Sequence, residues 1–160
     1  MQAPRVTTAR TRCARGFTLT EVMIVVAVLA ILATVALPSF LDALRRGRRA
    51  DAIGALTQVQ QAQERWRANQ GSYTDQLTAA APNGLGLSAT SARGYYAIAV
   101  SDAGANGYTV TATANSGTLQ AGDDACRKLV LRQAGGNTLY SSVDAGNAVD
   151  DTGAKRCWAR

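Results

Sequence analysis

Glu21 is the lone acid at the mouth of an apolar run, Val22 to Leu37, in which Thr34 is the one polar side chain. A carboxylate in hydrocarbon costs about 2.5 kcal/mol or more, so its charge needs a partner there. Farther along, Asp123, Asp124, Asp144, Asp150 and Asp151 carry oxygens that a hard cation could use. Their spacing lacks the EF-hand pattern, so solvated loop acids are the expected state and no metal site is assigned. Arg127, Lys128, Arg132, Lys155, Arg156 and Arg160 surround Cys126 and Cys157 in sequence. Such cations can hold phosphates, but ordinary surface charge is the simpler account. The chain has no histidine, which removes the commonest general base, the commonest metal ligand and the usual partner of a Ser or Cys nucleophile. It also lacks a Walker loop, a dinucleotide fingerprint, a CxxC and a GxSxG. Neither an enzymatic activity nor a cofactor is expected.

Few elements are needed to position these residues, and 160 residues suffice for one ordinary domain. Extended back to Phe17, the apolar run covers twenty-one residues. As a helix it spans about 30 Å, the thickness of a bilayer core. Helical patterning continues from Ser39 to about Asn69, with Ala52, Leu56, Val59, Ala62 and Trp66 on one broad face. The helix is thus lipid-like all round in its first half and amphipathic in its second. Pro38 removes a backbone donor and is expected to bend or locally open it. Arg45, Arg46, Arg48 and Arg49 follow the apolar run. They could meet lipid headgroups, nucleic acid or a partner's acids. They could equally form a solvated face eased by Asp42 and Asp51, at i, i+4 and i, i+3 from Arg46 and Arg48.

After Asn69 the period changes. Asp75 to Arg93, with Pro-Asn-Gly at 82–84, reads as an irregular connection. "GYYAIAVS" and "GYTVTATA" alternate like strands and are joined by "DAGANG" into a hairpin. In "CRKLVLRQAGG" Leu129 and Leu131 alternate with Lys128, Val130 and Arg132 as a third strand, and a shorter fourth is placed around Thr138 to Ser142. Three or four antiparallel strands across a helix give an α+β roll.

The formal net charge is +6, and Arg5, Arg10, Arg12 and Arg15 hold four of those charges; without them the remainder is +2. Basicity is therefore weak evidence that the folded part binds nucleic acid. A secretory signal peptide cut near "TVA" at 34–36 is one reading of this N-terminus. The length of the run, the acid at its start and the helix-compatible sequence beyond Pro38 oppose it. A signal anchor is another, left unoriented by four arginines on each side.

"RGFTLTEVMIVVAVLAILATVALPSF" resembles the processing site and N-terminal helix of type IV prepilins. The resemblance implies a leader, 1–16, cut after Gly16 by a prepilin peptidase that also methylates the new N-terminal residue, Phe17. It implies an assembly helix half over 17–44 and a globular head over 45–160. Glu21 would pair with the N-terminal amine of a neighbouring subunit, neutralising both charges as the helix leaves the membrane for the fibre. The implied partners are other pilin subunits through that helix, the prepilin peptidase, the inner membrane and the pilus assembly machinery. The implied course is a single-pass inner-membrane precursor with a periplasmic head, then an extracellular pilus.

"GYTVTATA", "GDDAC", "CRKLVL" and the closing "CWAR" further resemble heads of minor pilins of the PilE and ComP type. With Cys13 discarded in the leader, Cys126 and Cys157 remain as an even pair in an exported domain, expected to be bridged around a C-terminal loop. That bridge would draw together Arg127, Lys128, Arg132, Lys155 and Arg156, the candidate DNA contacts. The preferred reading is a structural, minor pilus subunit serving biogenesis, motility or adhesion. A DNA receptor on the same scaffold is the alternative, and a type II secretion pseudopilin a second one.

Overall fold

The computed structural model describes residues 16–151 and 155–158. The chain divides into two compact units, Met1–Phe40 and Leu41–Arg160. In the first, helix α1 (Leu19–Gln70) begins, and every residue from Gly16 to Phe40 is exposed. Its start is set locally. The Thr18 hydroxyl accepts a hydrogen bond from the Glu21 amide at 3.2 Å, satisfying one of the donors that a helix N-terminus leaves open. The helical assignment runs through Pro38 without a break. The hydroxyls of Thr34 and Ser39 donate back to the carbonyls of Ile31 and Ala36 at 2.7 and 2.9 Å, so neither polar side chain is left unbonded in the apolar run.

In the second unit α1 turns amphipathic. Ala52, Leu56, Val59, Ala62 and Gln63 are buried, at the spacing that keeps one helical face inward. Trp66, assigned to that face by the pattern, is only half-buried. Gln63 is the polar exception. Its amide donates to the Thr74 carbonyl at 2.6 Å and accepts from the Thr74 amide at 3.1 Å, tying down the chain that leaves the helix.

Four strands and a short fifth form one antiparallel sheet in sequence order: β1 (Tyr96–Ser101), β2 (Gly107–Ala114), β3 (Lys128–Ala134), β4 (Asn137–Val143) and β5 (Val149–Asp150). The expected fourth strand is as long as the third, and the two-residue β5 extends the expected three or four strands to five. The register pairs Val110 with Leu131 and Ala112 with Leu129, so the inward residues of neighbouring strands stack in rows. Those rows join Ala52, Leu56 and Val59 of α1 in a single core. The β3–β4 connection is the pair Gly135–Gly136, both at positive φ, which suits a two-residue hairpin turn. Gly107 opens β2 where a Cβ would collide with the Gln133 carbonyl, so only glycine fits there.

Two short 3₁₀ turns, Leu119–Gly122 and Asp124–Cys126, lead into β3, and a four-residue helix, α2 (Lys155–Trp158), follows the sheet. Cys126 and Cys157 form a disulfide with Cα atoms 5.7 Å apart. The segment between them is largely sheet, since β3, β4 and β5 all lie inside it. Trp158 donates its indole N–H to the Ser141 carbonyl at 3.0 Å and meets the Tyr140 ring edge-on at 4.9 Å, docking α2 on β4.

Candidate functional site

Gly16 and Phe17 precede α1 and are exposed, Phe17 by 83%. Residues 1–15, with Cys13 and the four leader arginines, lie outside the described residues. Glu21 sits in the first helical turn, where a carboxylate also complements the positive end of the helix dipole. Local structure thus gives Glu21 a second reason to be there, legible in the Thr18-x-x-Glu21 spacing. The apolar residues that follow are exposed, and Ile24, Leu29, Ile31 and Val35 are each more than half so. By length and composition this stretch can cross a membrane.

The arginine cluster divides on folding. Arg49 leaves it and enters the head, where its Nε and Nη2 donate to the two carboxylate oxygens of Asp123 at 2.6 and 2.7 Å. Asp123 is 3% exposed and Arg49 11%, so the pair is fork-to-fork and nearly dry. Gln120 extends it, donating from one amide nitrogen to Asp123 and to the Tyr96 hydroxyl, each at 2.8 Å. Burial first, and the Asp123 charge second, push the Tyr96 phenol up to about 12, so it stays neutral at physiological pH. Burial likewise raises Tyr108, whose hydroxyl has no partner among the described residues.

The acids do not pair with the cluster as the helical spacing suggests. Asp42 meets Arg45 at 3.2 Å rather than Arg46. Asp51 turns to the head, accepting from the Ser91 hydroxyl at 2.6 Å and the Arg93 amide at 3.1 Å. Arg48 lies over the Tyr95 ring, 5.5 Å from its centroid.

Of the five candidate phosphate contacts, the three with described side chains differ in environment. Lys128 and Arg132 share the outward face of β3 with the threonines 109 and 113 that pair with them on β2. They are four residues apart, about 13 Å along a strand. Arg132 is exposed, whereas Lys128 is half-buried and within 3.5 Å of the Asn147 amide oxygen. Arg127 is tied to Asp124 at 3.3 Å. Lys155 and Arg156 belong to α2, but their side chains, like Arg160, lie outside the described residues. Among the loop acids, Asp123 holds Arg49, Asp124 holds Arg127, and Asp144 accepts from the Ala148 amide at 2.8 Å. No three metal-capable side chains converge among the described residues.

The family model described as "Type IV minor pilin ComP, DNA uptake sequence receptor" matches residues 38–130. The prokaryotic N-terminal methylation motif matches residues 11–37. The type IV wide pilus major component PilA4 of Thermus thermophilus is 37% identical over 108 residues, covering 68% of this chain and 79% of that protein. An exposed apolar helix that opens on a lone carboxylate, a head of one helix on an antiparallel sheet with its tail bridged by a disulfide, and these matches along the chain agree: the protein belongs to the type IV pilin family.

Proposed function

We propose that the chain is a structural, minor subunit of a type IV pilus, held in the inner membrane by its apolar helix until that helix drives assembly into the fibre. The observation that carries the reading is the exposed apolar face of α1, complete around the helix and interrupted near its start by Glu21. A surface of that kind is stable only in lipid or against other such helices. In this reading residues 1–16 are removed after Gly16, Phe17 becomes the methylated N-terminus, residues 17–44 anchor and assemble, and residues 45–160 form the head. Intact-mass and N-terminal peptide analysis of the membrane and sheared-fibre fractions tests it. The expected result is a methylated chain beginning at Phe17 in both fractions. A chain beginning at Leu37 would identify an ordinary signal peptide and end the proposal.

The match to a family described as a DNA uptake sequence receptor favours a second reading, in which the head binds DNA. Among the described residues of the sheet, Lys128 and Arg132 are the cations on one face, fewer than phosphate tracking along a duplex uses.

A further inference from the structure

Between the first head turns of α1 and the residues entering β3 lies a cleft of about 380 Å³, lined by Asp42, Arg45, Arg46, Arg49, Gly122 and Asp123–Ala125. Its charges are unequally committed. Arg49 is held by Asp123, Arg127 holds Asp124, and Arg45 has the largely exposed Asp42. Arg46 is exposed and makes no ion pair or hydrogen bond among the described residues. Gly122 leaves the wall bare: a Cβ there would lie 3.7 Å from the Arg45 guanidinium. One guanidinium is therefore free and a second only lightly held, at the edge of a hollow with room for a tetrahedral anion. Guanidinium forks match phosphate oxygens in just this way.

The residues just before the cleft show which anion it takes. Leu41 and Leu44 are 49% and 38% exposed, and Leu41 stands one helical turn before Arg45 on the same side. An apolar ledge followed by cations copies the order of a phospholipid, acyl chain and then phosphate. A free phosphate would use the arginines and gain nothing from the leucines. The geometry points to a headgroup site for an anionic phospholipid, with the phosphate on Arg45 and Arg46 and the upper acyl chain along Leu41 and Leu44. This inference rests on the membrane-anchored reading above, because the site is useful only to a chain resident in the bilayer.

The test uses the full chain in neutral detergent micelles, with phosphatidylglycerol or phosphatidylcholine added and retained lipid counted by native mass spectrometry. Arg46→Gln and Arg45→Gln are the variants, and Arg65→Gln, far along α1 and outside the cleft lining, is the control. The expected result is several-fold preferential retention of phosphatidylglycerol, reduced about fivefold by each cleft variant and unchanged by the control. Equal retention of the two lipids, or full retention by Arg46→Gln, would overturn the site. Displacement of the lipid by inorganic phosphate at millimolar concentration would make it a simple anion site and overturn the lipid assignment. Retention of a duplex oligonucleotide through the same two arginines would reassign the cleft to nucleic acid. None of these outcomes bears on where the leader is cut, so failure here is separable from failure of the pilin reading.

Discussion

At the scale of single residues, Glu21 and Arg49 carry the two charges whose placement is hardest to sustain. Glu21→Ala removes a carboxylate from the mouth of an apolar helix, which eases insertion and, in the proposed assembly, deprives a neighbouring subunit's N-terminal amine of its counter-charge. The variant is expected to insert and be processed as before but to be depleted in sheared fibres; wild-type abundance there would remove that role. Arg49→Ala leaves the Asp123 carboxyl buried and without its fork. Removing one member of such a pair costs about 3 to 5 kcal/mol, whereas losing an exposed arginine such as Arg46 costs about 1 kcal/mol or less. Urea titrations of the two variants should differ accordingly, and similar midpoints would show that the clamp adds nothing. Glu21 was legible because it breaks a long uniform run. Arg49 was not, because its partner lies 74 positions away and a run of four arginines offers no sign of which one turns inward.

Elements of regular period were the most readable. The buried Ala52, Leu56, Val59 and Ala62 of α1 and the alternation in β1, β2 and β3 follow directly from sequence spacing, since a period of 3.6 or 2 is a local property. What spacing did not reveal depends on contacts between distant segments: the two-residue β5, the full length of β4, and the docking of α2 through Trp158 onto Ser141. The disulfide governs that last contact. Opening a bridge with a sequence separation of 31 residues loses about 3.5 kcal/mol by the chain-entropy estimate. The Cys126→Ser/Cys157→Ser variant should therefore unfold at lower urea. In a Trp66→Phe background its Trp158 emission should shift to the red before the sheet melts. Coincident loss of both signals at the wild-type midpoint would show that α2 docks without the bridge.

For the whole molecule, the distinction between fibre subunit and DNA receptor is a matter of how many cations reach one phosphate track. The described head offers Lys128 and Arg132 on a common face. Duplex binding through these two alone should show a log-log salt slope no steeper than about −2, and should be weak at physiological ionic strength. Binding by the full chain in detergent at micromolar affinity or tighter, with a slope of about −4 or beyond, would rank the receptor reading first. Its loss on neutralising Lys128 and Arg132 would locate the site. The Arg49–Asp123 clamp also has a mechanical meaning. A fibre subunit is pulled along α1, and a force entering the head from the Leu41 end reaches Arg49 before it reaches the buried Ala52, Leu56 and Val59. The clamp is loaded before those core residues, on a segment that continues within three residues to the disulfide at Cys126. Tension would therefore pass to a covalent crosslink before the core begins to slide. In a force-ramp experiment, Arg49→Ala should lower the rupture force of the head by more than its effect on equilibrium stability accounts for.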